Sequence, residues 1–287
     1  MVRIAYVTAE VDYLDPDPDW DMPGVVAGLT EAGFDVETPQ WDDPNVDWSK
    51  FDACLVRSTW NYANRRDPFV AWAKHVDAVS LLMNPSDVIE YNTDKVYLRD
   101  LTAAGVPVIP TVVVPPGESC DWTSAELANA VRVVVKPTVG AGAIGASVHH
   151  DRAAADDAIA ALHATGASVL VQPYLEAVDT AGEVAVVVID GNISHAVTKV
   201  PALTAGGHGD AGALMPVDAS IESMIASVAA TVPQWRDLLY ARIDIVPDGR
   251  GGWLLMELEL TEPTLFLTQD LAATARFVDS CVKRFRD

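Results

Sequence analysis

Three acidic residues near the carboxyl end of the chain interrupt otherwise apolar stretches. Asp244 lies within the run 238–246, and Glu257 and Glu259 lie within the run 252–260. A short segment of turn-forming residues between the two runs predicts an antiparallel pair of strands. Because side chains alternate across a strand, Glu257 and Glu259 share one face, and Asp244 can lie beside them on the neighbouring strand.

Carboxylates gathered in an apolar sheet repel one another and lose hydration unless a positive charge lies between them. Oxygen ligands of this kind suit Mg²⁺, which commonly shares its remaining positions with water and substrate phosphates. Arg242 precedes Asp244 by two residues, so it projects on the same face and can meet a phosphate. The alternative is that the acids pair with arginines or face solvent, but three acids in phase favour a metal–phosphate site.

A lysine and a glycine-rich segment follow a predicted strand over 132–136. Lys136 ends the strand, and glycines at 140, 142 and 145 allow the backbone to approach a ligand closely. The segment is not a Walker A loop, which would end in Gly-Lys-Ser/Thr, and no ribose-binding acid follows as in a Rossmann fingerprint. Lys95, at the start of a predicted helix, offers a second cation.

A second glycine-rich segment covers residues 203–213 and contains His208. Its composition is typical of a flexible loop, so we interpret it as a lid with an exposed histidine rather than as a catalytic site. A short helix is predicted for 123–129, between two strands.

Strands and helices alternate over residues 1–90, which predicts a small parallel α/β unit. Loops after the strands of such a unit usually bind ligands. One of them carries Arg57, Ser58, Thr59 and Trp60, whose cation, hydroxyls and indole could orient a small polar substrate. An equally weighted alternative is a loop that merely packs. Asp21, with Pro23 behind it, is expected to cap the first helix.

Composition excludes several classes of function. The chain has 287 residues and a formal net charge of −22, which argues against sequence-independent binding to nucleic acid or to an anionic membrane. No apolar run is long enough to span a bilayer, and the amino terminus lacks a signal-peptide pattern. Three widely spaced cysteines suggest neither disulfides nor zinc, so a cytoplasmic location is expected.

Several of these elements, in this order, resemble the ATP-grasp ligases, particularly glutathione synthetase and D-alanine–D-alanine ligase. The residues Arg242-Ile243-Asp244 and the stretch 257–264 are similar to the family's magnesium motif, with Glu259 where asparagine is usual. That departure adds a negative charge to the predicted metal site. The resemblance implies ATP and Mg²⁺ as cofactors, with Asp244, Glu257 and Glu259 as the metal ligands.

The resemblance also implies roles for other residues. The two lysines match the family's phosphate-binding lysines, 140–147 its phosphate loop, 172–175 its adenine hinge and Glu183 its ribose-binding acid. It therefore assigns nucleotide binding to Lys95, Lys136, Gly142, Ser147, Gln172, Tyr174, Leu175 and Glu183. Lys199 and Arg242 are the candidate catalytic residues, which would meet the transferred phosphate.

The strings at 56–62, 92–95 and 259–263 are similar to those of the cycloserine-forming O-ureido-serine cyclo-ligases. That group joins a carboxylate to a nitrogen of the same small amino-acid-like molecule. Two alternatives stay open: a ligase that joins two separate amino acids or peptides, and a protein that binds ATP without catalysis. From the resemblance alone, a homodimer is a further expectation.

The expected fold is therefore α/β, an ATP-grasp fold preceded by a small parallel α/β domain. The expected domains are an amino-terminal unit on the substrate side (1–90), a central lobe that acts as a lid (91–175) and a carboxyl-terminal lobe with the metal site (176–287).

Overall fold

The computed structural model describes residues 1–10, 18–200, 211–270 and 272–286. Within these residues the strands form three separate sheets, one parallel and two antiparallel. The predicted lid segment with His208 lies largely outside the described residues. The three sheets fall in the three predicted regions, while the domain boundaries stay predictions.

The amino-terminal sheet is parallel, with strand order β2-β1-β3-β4. Its apolar strands are covered on both faces. Alternate residues such as Tyr6 and Leu55 pack on the first and last helices, whereas Val7 and Val56 pack on the second helix. The elements are β1 (Arg3–Thr8), α1 (Met22–Glu31), β2 (Asp35–Glu37), β3 (Ala53–Ser58), α2 (Arg66–Asp77), β4 (Leu81–Met83) and α3 (Ser86–Asn92).

The central sheet is antiparallel, with strand order β5-β8-β6-β7, and one helix covers it. Ala155 and Ile159 of this helix pack against Val135 and Val171 of the sheet. The elements are α4 (Tyr97–Ala103), β5 (Val112–Val114), β6 (Val133–Pro137), β7 (Ser147–His149), α5 (Arg152–His163) and β8 (Val169–Pro173).

The carboxyl-terminal sheet is antiparallel, with strand order β11-β10-β9-β12-β13. One face packs on α3, α4 and the helix 219–231, and the other face meets the amino-terminal sheet and the last helix. The elements are α6 (Ala177–Ala181), β9 (Glu183–Ile189), β10 (Asn192–Lys199), β11 (Ala211–Met215), α7 (Ala219–Thr231), β12 (Tyr240–Pro247), β13 (Trp253–Glu259) and α8 (Ala273–Arg286). Single turns of 3₁₀ helix occur at Trp48–Lys50, Trp60–Asn64, Trp235–Asp237 and Leu267–Gln269.

Two local predictions were wrong. Residues 123–129 form turns rather than a helix, because Leu127 is the one buried side chain in a segment too short to be helical without packing. Asp21 precedes α1 but makes no side-chain capping bond. Its carboxylate instead accepts hydrogen bonds of 2.8 Å from the amides of both Leu265 and Leu267.

The structure describes no helix that is long and apolar enough to cross a membrane.

Candidate active site

A cavity of about 780 Å³ lies between the central sheet and the carboxyl-terminal sheet. Strands β6 and β8 and the segment 140–146 line one side, and β9, β10, β12 and β13 line the other. Further lining residues come from two other segments and are Trp60, Tyr62, Glu262, Thr264, Phe266, Thr268 and Gln269. The cavity therefore collects side chains from all three sheet-containing regions.

The acidic hairpin forms as predicted. Strands β12 and β13 are antiparallel, and Asp244 lies directly opposite Glu257 while Arg242 lies opposite Glu259. All four side chains line the cavity. The period-two alternation of the two strands thus brings the three carboxylates and the arginine to one face.

Each carboxylate of the hairpin is held by a basic side chain. Asp244 binds Lys199 Nζ at 2.6 Å and Arg242 Nε at 3.0 Å, and Glu257 binds Lys95 Nζ at 3.1 Å. Glu259 pairs with Arg242. The three acids are thus paired with basic side chains, which is the alternative to metal binding. Among the described residues, no group of three or more acidic, histidine or cysteine side chains is arranged to hold a metal ion.

The three acids differ in protonation. Burial alone would raise the pKa of Asp244 and Glu257, but the adjacent cations outweigh burial and hold both pKa values below the ordinary range. Burial raises the pKa of Glu259 to about 7, because repulsion from Asp244 and Glu257 adds to burial and Arg242 does not compensate. The site therefore carries its negative charge mainly on Asp244 and Glu257.

Lys136 is a partly buried basic side chain on β6, across the cavity from these acids. Burial lowers its pKa, and the nearby Lys95 lowers it further. Within the described ranges Lys136 forms no ion pair, whereas Lys95 donates to the carbonyl oxygen of Gly140 and Lys199 also pairs with Glu183 at 3.3 Å. An anion that enters the cavity would find Lys136 uncompensated.

Most of the predicted nucleotide residues line this cavity. They are Lys95, Lys136, Gly142, Gln172, Tyr174, Leu175 and Glu183. Ser147 does not line it, because it lies on β7 beyond the loop and its hydroxyl hydrogen-bonds to Nε2 of His149 at 2.7 Å. A role for Ser147 in nucleotide binding stays a prediction.

The predicted substrate residues divide in a similar way. Trp60 lines the cavity, whereas Arg57, Ser58 and Thr59 do not and are almost fully buried. Arg57 lies at the end of β3, where its guanidinium packs over the ring of Tyr240 with 5.0 Å between the guanidinium carbon and the ring centre. These three residues build the wall behind the site rather than its surface.

That wall holds three successive backbone carbonyls. The oxygens of Thr261, Glu262 and Pro263 accept hydrogen bonds of 2.8, 2.9 and 2.8 Å. The donors are the Tyr240 hydroxyl, the Trp60 indole and the Arg57 guanidinium, in that order. These three bonds hold the backbone of the segment after β13, so Arg57 and Trp60 have a positional role.

Sequence reasoning missed Glu262 and Asn92 as residues of the site. Glu262 and Tyr62 line the cavity, and so does Asn92, whose amide bridges Leu258 and Leu260 with bonds of 2.7 Å. The signal was present, because two of the strings used for the resemblance contain Glu262 and Asn92. The sequence of these segments does not indicate which of their side chains reach the cavity.

Comparisons with known proteins agree with this architecture. Residues 4–84 match the family model of the D-cycloserine synthetase DcsG amino-terminal domain. The chain is 33% identical over 289 residues to the cycloserine biosynthesis protein DcsG of Streptomyces lavendulae, covering 93% of this chain and 95% of that protein. The crystal structure of D-cycloserine synthetase DcsG superimposes with a TM-score of 0.88 over 99% of both chains at 33% identity.

More distant structures share the fold. A D-alanine–D-alanine ligase from Bacillus anthracis is 13% identical, with a TM-score of 0.76 over 100% of this chain and 98% of that one. An ATP-grasp RimK domain protein from Sphaerobacter thermophilus is 16% identical, with a TM-score of 0.69 over 97% and 99%. The predicted ATP-grasp fold is confirmed, and from its sequence identity to DcsG along almost the whole of both chains, this protein belongs to the D-cycloserine synthetase family.

Proposed function

We propose that this protein is an ATP-dependent carboxylate–amine ligase that closes a ring within one small amino-acid-like molecule, by the conversion of O-ureido-D-serine to D-cycloserine or a close equivalent. The observation that carries the proposal is the 33% identity to a cycloserine biosynthesis protein over 93% of the chain. The cavity brings four basic side chains and three carboxylates together, and such a ligase needs these groups to bind and neutralise phosphates.

The reaction has two steps. A free carboxylate is a poor electrophile, so one of its oxygens first attacks the γ-phosphorus of ATP, and ADP leaves. The nitrogen then attacks the acyl carbon; the carbon–nitrogen bond forms, the bond to phosphate breaks, and the nitrogen gives up its proton. For O-ureido-D-serine to yield D-cycloserine, water must also cleave the bond between this nitrogen and the carbamoyl carbon, and the carbamoyl group leaves as CO₂ and ammonia. Phosphoryl transfer of this kind depends mainly on positioning and on neutralisation of charge.

The basic residues of the cavity supply that neutralisation. Lys136, which has no carboxylate partner among the described residues, would hold the nucleotide phosphates together with Lys95. Lys199 and Arg242 lie on the opposite sheet and would hold the transferring phosphoryl group. The segment 172–175 would bind the adenine, and Glu183 the ribose.

The carboxylate oxygens of Asp244, Glu257 and Glu259 fit Mg²⁺ by donor chemistry. When bound there, the ion would shield the charge of the terminal phosphates. The present ion pairs occupy these oxygens, so we propose that nucleotide binding exchanges partners: phosphate oxygens take over Lys95 and Lys199, and the carboxylates are released. Because the pKa of Glu259 is about 7, this side chain can gain or lose a proton when its neighbours change partners.

Incubation with ATP, Mg²⁺ and O-ureido-D-serine as the sole amino acid tests the proposal. We expect stoichiometric ADP and a cyclic product identified by its mass. A product that appears only when a second amino acid is added would make the protein an intermolecular ligase, and ATP binding without ADP release from any candidate would make it a non-catalytic binder. A homodimer and a cytoplasmic location stay predictions.

A further inference from the structure

Glu262 supplies the one carboxyl group among residues 60–62 and 262–269 of the cavity lining. This residue is 9% exposed, and it lines the cavity. Among the described side chains it forms no ion pair, in contrast to the three acids of the hairpin. A buried carboxylate without a counter-charge is costly, which marks this group for a ligand.

The backbone around Glu262 is immobilised. The carbonyl oxygen of Glu262 accepts from the Trp60 indole at 2.9 Å, and the carbonyl oxygens before and after it accept from Tyr240 and Arg57. The Tyr62 hydroxyl lies beside the Glu262 carboxyl group and interacts with it. Tyr62 is itself held by stacking on Phe69, with 4.8 Å between ring centres. Such positioning exceeds what a surface glutamate needs and is typical of a binding group.

The charges around Glu262 favour a positively charged ligand over a negatively charged one. Burial raises the pKa of Glu262 to about 8, and the negative charges of Glu259 and Glu257 add to the shift while Lys95 opposes it. A positively charged group placed beside Glu262 would relieve this repulsion and restore the ionised form. Glu257 and Glu259 of the acidic hairpin, in contrast, already pair with Lys95 and Arg242.

We propose that Glu262 is the subsite for a substrate ammonium group, held by a charge-assisted hydrogen bond from that ammonium to the carboxylate. The inference rests on the proposed function, which identifies the amino-acid-like substrate that binds beside ATP. It deepens that function, because an ammonium paired with a carboxylate has no lone pair and cannot attack an acyl-phosphate. The substrate therefore carries at least two nitrogens: a basic amine held at Glu262, and a second, less basic nitrogen that closes the ring.

Binding of two probes to wild type and Glu262→Gln tests the subsite. The probes are O-ureido-D-serine and its analogue with hydrogen in place of the α-amine, each titrated calorimetrically in the presence of a non-hydrolysable ATP analogue and Mg²⁺. Glutamine keeps the shape and can still interact with Tyr62. We expect wild type to prefer the amine-bearing probe by about tenfold or more, and the variant to bind both within about twofold. Affinity for the ATP analogue should be unchanged, and Glu126→Gln, at an exposed position, should behave as wild type.

The outcomes separate this inference from the proposed function. Loss of the preference in Glu262→Gln supports the subsite, whether or not wild type turns the probe over. A preference that survives in the variant, or a wild type that binds the two probes equally or binds neither, overturns it. Absence of cyclic product with an intact, Glu262-dependent preference would refute the cyclisation alone.

Discussion

The guanidinium of Arg57 donates a hydrogen bond of 2.8 Å to the carbonyl oxygen of Pro263, 206 residues further along the chain. This bond joins the end of a strand in the amino-terminal sheet to the segment that follows the acidic hairpin. It also brings Arg57 to within 3.5 Å of Asp21, whose carboxylate holds the amides of Leu265 and Leu267. The amino-terminal unit thus shapes the part of the cavity lined by the segment after β13, through buried polar contacts.

Replacement of Arg57 by methionine should therefore destabilise the protein strongly. The change leaves Asp21 buried without its cation, and loss of one partner of a buried pair costs about 3–5 kcal/mol. Urea unfolding measures this free energy. Arg99→Met is the control, because Arg99 is 67% exposed and its loss should cost less than about 0.5 kcal/mol. Equal stability of the two variants would contradict the role given to Arg57.

The acidic hairpin could be predicted from the sequence, whereas the buried contacts of Arg57 behind the cavity could not. Alternation along β13 places Glu257 and Glu259 on one face whatever the rest of the chain does, so the acidic face could be derived from local spacing. Arg57 and Asp21 depend on partners more than 200 residues away. Local reasoning therefore gave Arg57 to the substrate and Asp21 to a helix cap, when both hold the backbone of 263–267.

Ser147 and Glu262 show a second limit. Both lie within motif segments, but the direction of the backbone decides which of them reaches the cavity. Ser147 is already on β7 and bonds to His149, whereas Glu262 is turned towards the cavity because three carbonyls around it are held. Spacing in the sequence does not contain these tertiary constraints.

Lys136→Met should abolish turnover without loss of stability. Removal of one preorganised cation from a phosphoryl-transfer site lowers kcat/KM by about 100-fold or more. The ligand-free protein should be at least as stable as wild type, because burial lowers the pKa of Lys136 and the described structure gives it no partner. Coupled ADP release and thermal melting provide the two readouts.

The matched control for this change is Lys74→Met, because Lys74 is half exposed and pairs with Glu90 on the surface. It should retain wild-type turnover. Turnover near the wild-type rate in Lys136→Met would remove this lysine from the nucleotide site.

Glu257→Gln should raise the requirement for Mg²⁺. Glu257 lies opposite Asp244, and loss of one carboxylate charge at a metal site should increase the half-saturating Mg²⁺ concentration by at least about tenfold. ADP release as a function of Mg²⁺ at saturating ATP measures it. Glu222→Gln, on the exposed face of α7, is the control. An unchanged Mg²⁺ dependence would show that the hairpin does not hold the ion.

The buried carboxyl group of Glu262 should contribute a loss of stability to the ligand-free protein as the pH rises from about 4.5 towards 8. Burial, with the charge of Glu259, raises the pKa of Glu262 from 4.5 to about 8, so the folded state holds this proton more tightly than the unfolded state. Its contribution to stability is complete below pH 4.5 and is lost as the pH passes through the folded value.

Urea unfolding at pH 5.5 and 7.5 measures the effect. Glutamine at position 262 cannot titrate, so Glu262→Gln should reduce the fall in the free energy of unfolding by at most about 1.4 kcal/mol per pH unit. Part of the fall should persist, because Glu259 also has a raised pKa, of about 7. Identical pH dependence in wild type and variant would mean that Glu262 is already ionised in the empty cavity, and the ligand-free site would then have to compensate its charge without an ammonium.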